Sequence, residues 1–138
     1  MKLVLTAALA AAVLVATTIA LATHSPKNAK VYIISPQDGA TVSSPFKVQF
    51  GLAGMGVAPA GVEKENTGHH HLIIDAPLPP LDQPIPKDEH HIHFGGGQTE
   101  AMVTLPPGKH TLQLLLADQQ HVPHTPPVYS VPITVTVK

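Results

Sequence analysis

Turns rich in glycine and proline recur along this chain, and they leave only short segments of possible regular structure between them. The sequence has fifteen prolines and ten glycines, and no window carries apolar residues at a sustained helical spacing. Several segments instead alternate apolar and polar residues, as in Phe46–Phe50 (FKVQF). Alternation of this kind puts one set of side chains on each face of a strand. The pattern therefore predicts β-strands throughout and no long helix.

About seven short strands separated by turns are typical of a β-sandwich. We expect an all-β, immunoglobulin-like sandwich, with a small barrel of similar composition as the alternative. Ala76–Lys87 contains five prolines and is expected to form an extended loop with polyproline II character. Besides Phe46–Phe50, the predicted strands are Lys30–Ser35, His69–Asp75, His90–Phe94, Thr99–Leu105, His110–Asp118 and Tyr129–Val137.

The start of the chain has the order of features found in secretory signal peptides. Lys2 provides a positive charge, Leu3–Ala16 is an uncharged apolar run, and Ala20–Ala22 has the small-x-small pattern of a cleavage site. We therefore expect residues 1–22 to be a cleaved signal peptide. The alternative is an uncleaved membrane anchor, because the apolar run continued through Ala22 is about as long as the roughly 20 residues that span a bilayer.

Cleavage would leave a mature protein of ordinary domain size. We expect residues 23–29 to be a polar lead-in and residues 30–138 to be one histidine-rich domain, with no membrane contact after cleavage. The sequence contains no cysteine, so it can carry neither a lipid anchor on cysteine nor a disulfide bond. An exported domain without cysteine favours a bacterial periplasm or cell surface as its location.

The composition argues against several classes of function. The formal net charge is −1 and tryptophan is absent. Every basic residue is lysine, so the arginine-rich basic patch expected of a nucleic-acid-binding protein is missing. No G-x-S-x-G or H-E-x-x-H motif is present, and we do not expect an enzyme. The least favoured hypothesis is a metal-dependent enzyme, in which three histidines hold a metal whose open position activates water.

Ten histidines are the most unusual feature of the sequence, and most of them are clustered. Side chains two residues apart share one face of a strand, so His69 pairs with His71 and His91 pairs with His93. Two such rings start about 6–7 Å apart, a separation that one metal ion can bridge. His121 and His124 lie in a loop that Pro123 stiffens.

These clusters predict a metal site. Imidazole donors without thiolate suit copper(II), zinc or nickel, and we expect a copper or zinc ion held for buffering, delivery or sensing. Nearby carboxylates could bind the metal or orient a ring. A protein partner in the same compartment is a further expectation. The predicted ligands are His69, His71, His91, His93, His121 and His124, and the carboxylates are those of Asp75, Asp88, Glu89 and Asp118.

Structural roles are the main alternative for the histidines. His110 stands at the start of a core strand, where a structural hydrogen bond is favoured over a metal bond. His70 has the same parity as Leu72 and Ile74, which indicates a core histidine. In this interpretation the protein is a structural or interaction domain, and the proline-rich loop Ala76–Lys87 and the sheet edges meet a partner.

Four motifs contain most of the histidines: Gly68–Asp75, Asp88–Glu100, Pro107–Leu114 and His121–His124. They resemble a bacterial exported family known only as domain of unknown function 4399. The resemblance extends over roughly Lys30–Lys138, and the run HIHFGGGQTE is its most specific part. It implies an exported single domain and brings no activity with it.

A second resemblance concerns the fold. Ser35–Val42 and the strand Phe46–Phe50 are similar to the opening of immunoglobulin-like periplasmic copper-resistance proteins of the CopC type. That family uses an N-terminal histidine and a histidine after a late Asp-rich turn, and Asp118–His121 is similar to that turn. The expected mature N-terminus differs, because Thr23 would precede His24.

Overall fold

The computed structural model describes residues 11–15 and 23–138. The predicted signal peptide, residues 1–22, therefore lies outside the described residues except for 11–15, which are in neither helix nor strand. No described helix is long and apolar enough to cross a membrane.

Nine strands and no helix make up the regular structure of the described residues. The predicted all-β sandwich is confirmed, with two additional strands of two residues each in segments that have no alternation. The last strand is shorter than predicted, because Pro132 has no N–H to donate to a ladder. The strands are Lys30–Ser35 (β1), Thr41–Val42 (β2), Phe46–Ala53 (β3), Gly56–Val57 (β4), Thr67–Ile74 (β5), His91–His93 (β6), Glu100–Val103 (β7), Gly108–Ala117 (β8) and Ile133–Val137 (β9).

The strands form two sheets. The smaller has the order β1-β3-β7, and the larger has the order β2-β9-β8-β5-β4. One edge of β5 pairs with β8 along its length, from His69 opposite Ala117 to Ile74 opposite Leu112. The other edge pairs first with β4 and then with the short strand β6, which places His93 opposite His71. Strand β5 is thus central to the larger sheet.

The main core lies between the two sheets and follows the predicted alternation. Strand β3 contributes Phe46, Val48 and Phe50, and the facing sheet contributes Leu72 from β5 and Leu114 from β8. Val48, Leu72 and Leu114 are fully buried. Each buried side chain of this size contributes roughly 1.5–3 kcal/mol through removal of apolar surface from water.

A second apolar cluster lies on the outer face of the larger sheet. Its sheet residues are Ile73 of β5 and Leu115 and Ala117 of β8, and Ile85 of the proline-rich loop covers them. Strand β5 is therefore buried on both faces, which explains why its sequence shows no polar alternation. The outer face of β5 under this loop is also where the candidate site lies.

Candidate metal centre

Four imidazole rings converge at the outer face of the larger sheet. His69 and His71 project from β5, His93 from the neighbouring β6, and His121 from the loop after β8. The odd-numbered residues of β5 face outward because Leu72 and Ile74 face the core. The six distances between ring centroids range from 4.5 Å to 6.0 Å.

The ring nitrogens meet at distances close to those between ligands of one metal ion. Nε2 of His93 lies 3.1 Å from Nε2 of His69 and 2.9 Å from Nε2 of His121. One nitrogen each from His69, His71 and His93 lie within 4.8 Å of one another. Tetrahedral ligands about 2.0–2.1 Å from zinc are themselves about 3.3 Å apart. The two contacts of His93 therefore have nearly the spacing of a bound site, and His71 belongs to the wider group of three.

Hydrogen bonding among the rings leaves this cluster incompletely satisfied. A neutral imidazole nitrogen carries either one proton or one lone pair, so Nε2 of His93 cannot make a good hydrogen bond to both of its nitrogen neighbours. Nδ1 of His69 and Nδ1 of His71 are buried without a partner among the described residues. A cation at the centre would turn converging lone pairs into bonds.

The surroundings lower the pKa of three of the four imidazoles, those of His69, His71 and His93. Burial, followed by the neighbouring rings of His93 and His121, lowers the pKa of His69 to about 4. Burial, followed by the neighbouring rings of His69, His93 and His121, lowers the pKa of His71 to about 3. Burial, His121 and the charge of Lys87 also lower the pKa of His93. Metal ligands must be deprotonated, and these rings meet that condition at neutral pH.

A network of backbone bonds holds His121 in place. Its φ of 66° is in the left-handed region, which histidine adopts more readily than most residues. Its N–H donates to the carbonyl of Asp118 at 3.0 Å, and its own carbonyl accepts from the N–H of Ile85 at 2.8 Å. One carboxylate oxygen of Asp118 accepts from the N–H groups of Gln120 at 2.9 Å and Val122 at 3.1 Å. The loop is therefore fixed from both sides.

Two glycines leave the space that the rings occupy. A β-carbon on Gly95 would lie 2.7 Å from Nε2 of His93 and nearer still to its Cε1. A β-carbon on Gly68 would lie 2.7 Å from the carbonyl oxygen of Ala117 and 2.8 Å from Cε1 of His124. Neither glycine was identified from the sequence, although Gly95 opens the GGG run directly after His93 and Phe94.

A cavity of about 360 Å³ opens onto the cluster. Three of the four rings face it, whereas His69 is fully buried behind them. The proline-rich loop forms its other wall, so this segment covers the site as well as the second apolar cluster. The lining residues are His71, Pro84, Ile85, Pro86, Lys87, His93 and His121.

The structure places two of the predicted ligands outside the cluster. Strand β6 begins at His91, where Nδ1 of this residue lies 2.7 Å from a carboxylate oxygen of Asp88. His124 is 1% exposed, and its Nε2 donates to the carbonyl of Thr67 at 3.0 Å. The H-x-H and H-x-x-H spacings had predicted His91 and His124 as metal ligands. In the structure their hydrogen-bond partners are instead Asp88 and the backbone carbonyl of Thr67.

The remaining clustered histidines have separate surroundings. His110 donates from Nδ1 to a carboxylate oxygen of Asp75 at 2.6 Å and from Nε2 to the carbonyl of Pro106 at 2.7 Å. The hydrogen bond to Asp75 raises the pKa of His110, and the two acceptors that its ring nitrogens face favour the imidazolium form. His90 donates from Nδ1 to the carbonyl of Ile74 at 2.8 Å.

His70 lies in the main core, on the face of β5 opposite the cluster. It is fully buried, its ring centroid lies 5.2 Å from that of Phe50, and neither ring nitrogen has a partner among the described residues. Burial lowers its pKa to about 4. The predicted core position is observed, but the hydrogen bonds expected of a core histidine are not.

The comparisons with known proteins give a family and no function. The model of the family described as "Domain of unknown function (DUF4399)" matches residues 48–138, which include the four rings and the residues that line the cavity. No curated protein and no solved structure matches the chain.

Proposed function

We propose a metal-binding function for this chain, which belongs to the family described as domain of unknown function (DUF4399). A divalent copper or zinc ion would be held by the imidazoles of His69, His71, His93 and His121. One observation carries the proposal: the ring nitrogens converge to 2.9 Å and 3.1 Å, and among the described residues no hydrogen bond joins these nitrogens to a carboxylate or a carbonyl.

The donor set determines which ions are suitable. Four neutral nitrogen donors without sulfur or carboxylate suit copper(II), zinc and nickel, and the usual order of stability places copper above zinc. Calcium and magnesium prefer oxygen donors and are poor candidates. The lowered pKa values of His69 and His71 support metal binding at neutral and mildly acidic pH. A ring with a low pKa binds protons weakly, so protons compete less with the metal for its nitrogen.

The biological role that we propose is metal buffering or delivery outside the cytoplasm. The sequence pattern at the start of the chain indicates export. His93 and His121 are half-exposed and face the cavity, which gives an ion a route of exchange. His69 and His71 are buried on the central strand, and this burial fixes the positions of their rings.

A structural role is the second candidate, and specific contacts favour it for other histidines. His90, His91, His110 and His124 each have a backbone or carboxylate partner. The side-chain hydrogen bonds found for the four converging rings among the described residues join ring nitrogens to one another, and none reaches a backbone carbonyl or a carboxylate. We therefore assign the structural role to the first set and metal binding to the second.

Metal uptake by protein prepared without a polyhistidine tag tests the proposal. We expect one equivalent of copper or zinc by elemental analysis and a rise in melting temperature. At a free metal concentration about 100-fold above Kd, native-state binding stabilises by about 2.7 kcal/mol.

The variants His93→Gln and His121→Gln should each weaken metal binding at least about tenfold, since each removes one ligand. His91→Gln and His90→Gln are matched controls of equal chemistry that lie outside the cluster, and they should bind as the parent does. Equal binding by all four variants, or no stoichiometric uptake by the parent, would contradict the proposal and favour the structural role.

A further inference from the structure

The proposed metal centre contains more positive charge than its ligands can balance. Four neutral imidazoles leave both charges of a divalent ion uncompensated. No carboxylate is among the described residues that line the cavity, and Lys87 adds a further positive charge there. A buried charge without compensation is costly.

The carboxylate that acts on the cluster is already engaged in other bonds. The carboxylate of Asp118 acts on His69 electrostatically. One of its oxygens accepts two backbone N–H bonds from its own loop, and the other accepts from the hydroxyl of Thr23 at 2.7 Å. It supplies one negative charge and is held by these bonds outside the cavity, so an anion from solvent is the remaining source of balance.

The cavity is suited to receive that anion. It lies on the side of the cluster that His71, His93 and His121 share, opposite the buried His69. An ion held by the four rings would take an anion from this side as a fifth ligand, an expansion that zinc sites undergo during catalysis. The charge of Lys87 reaches His93, and none of the ion pairs found within residues 23–138 involves Lys87.

The other walls of the cavity are apolar. Pro84, Ile85 and Pro86 form one side, and prolines lose little freedom when a ligand contacts them. The volume of about 360 Å³ is at the small end of the range of ligand sites, roughly 300–1,000 Å³. The cavity therefore combines a cationic end with a short apolar wall, which matches a carboxylate on a small alkyl group better than phosphate or chloride.

We propose that the metal-loaded centre binds a small monocarboxylate in this cavity, with one oxygen on the metal and the other paired with Lys87. The inference rests on the metal-binding function proposed above and names the class of external ligand that the site takes. Two oxygens on one carbon can bridge two cations, and the apolar walls contact the alkyl group.

Spectroscopic titration of the copper(II)- or cobalt(II)-loaded protein tests this inference. Acetate, propionate and butyrate should each shift the metal absorption bands with saturation. Each added methylene should tighten binding, by up to about fourfold where it is fully buried. Phosphate and chloride should bind more weakly than butyrate. Isothermal titration of metal into the apo-protein, done first, measures the proposed function separately.

A lysine variant identifies the second contact of the anion. Lys87→Gln should weaken butyrate binding about tenfold without a change in metal stoichiometry. Lys109→Gln is the matched control, because it changes a lysine that lies far from the cluster. Ala117 at one end of β8 pairs with His69, and Lys109 lies near the other end. Roughly 27 Å of strand separates the two positions at about 3.4 Å per residue.

Each outcome is decisive. Metal uptake with no spectral response to carboxylates would overturn this inference and leave the proposed function intact. Equal carboxylate binding by Lys87→Gln and the parent would overturn the role of Lys87 as the second contact of the anion. Phosphate binding as tight as butyrate binding would overturn the proposal that the ligand is a carboxylate. A protein that takes up no metal overturns both proposals together.

Discussion

The imidazole of His93 lies over Gly95, in the space that a β-carbon at that position would need. An added β-carbon would be 2.7 Å from Nε2 of His93, which is shorter than van der Waals contact. Gly95→Ala should therefore push the ring away from its metal-binding position and lower metal affinity at least about tenfold. Metal titration by calorimetry measures the loss, and circular dichroism should show an unchanged fold.

Gly96→Ala is the control for this substitution. A β-carbon on Gly96 would come within 3.0 Å of the side chain of Gln98, whose exposed end can move. We expect near-parent metal affinity from it. If both alanine variants bind metal equally well, the position of the His93 ring does not determine affinity.

The contrast between two buried histidines gives a second prediction. His70 has no partner for either ring nitrogen, whereas His110 has one for each. His70→Leu should raise the free energy of unfolding by about 1–3 kcal/mol, because it removes unsatisfied buried polar groups. His110→Leu should lower it by a similar amount, because it leaves Asp75 and the carbonyl of Pro106 without their donors.

Urea unfolding of the metal-free protein measures both changes on one scale. His70→Leu should also bind metal as the parent does, since His70 faces the core. A destabilised His70→Leu variant would indicate that an interaction not seen among the described residues satisfies this ring.

The lowered pKa of His70 makes the stability of the metal-free protein depend on pH. Its ordinary value is 6.5, and burial lowers the value in the folded protein to about 4. Between these pH values the unfolded chain binds a proton that the folded chain does not, so the free energy of unfolding falls as pH falls. The slope is about 1.4 kcal/mol per pH unit for one such group.

Three histidines of the cluster also have lowered pKa values, and they add to this decline in the parent and in His70→Leu alike. Two other shifted groups act outside this window. The pKa of His110 is raised, so its contribution is complete below 6.5 and is lost as pH rises through the folded value. The pKa of Asp75 is lowered from 3.8 by its bond with His110, against the effect of its burial, so its contribution is lost only at lower pH. Urea unfolding at pH 6.5, 5.5 and 4.5 should show a shallower decline for His70→Leu than for the parent, and identical slopes would exclude His70 as one of the titrating groups.

The fold could be predicted from the sequence because local patterns determine it. Phe46, Val48 and Phe50 alternate with Lys47 and Gln49, and they are the residues that β3 buries. Strand β4 was not predicted, since Gly56–Val57 pairs with β5 through backbone bonds that leave no side-chain pattern. Burial of β5 on both faces was not predicted either, because it depends on the distant residue Ile85 folding back onto Ile73.

The candidate site could be anticipated only in part. The alternation of side chains along a strand predicted that His69 and His71 share one face, and in the structure both lie on the outer face of the larger sheet. The same rule made His91 and His93 equivalent, but Asp88 engages His91 at the start of β6. Hydrogen bonds of this kind depend on loop conformation, and so does the inward rotation of His124 toward Thr67. Gly95 lies in the motif HIHFGGGQTE, but its role and that of Lys87 depend on tertiary contacts and could not be predicted from the sequence.

The loop that presents His121 gives a last prediction. The carboxylate of Asp118 accepts from the N–H groups of Gln120 and Val122, and this turn holds His121 at its positive φ. Asp118→Ala removes the acceptor, so the loop should lose its conformation and metal affinity should fall about tenfold or more. Asp118→Asn keeps an oxygen in the same position, as asparagine commonly does in such turns, and should retain most of the affinity. Hydrogen exchange of the Val122 amide, measured beside metal titration, separates loop opening from the loss of charge. Slow exchange in Asp118→Ala together with weak binding would show that the negative charge of Asp118, and not its hold on the loop, supports the site.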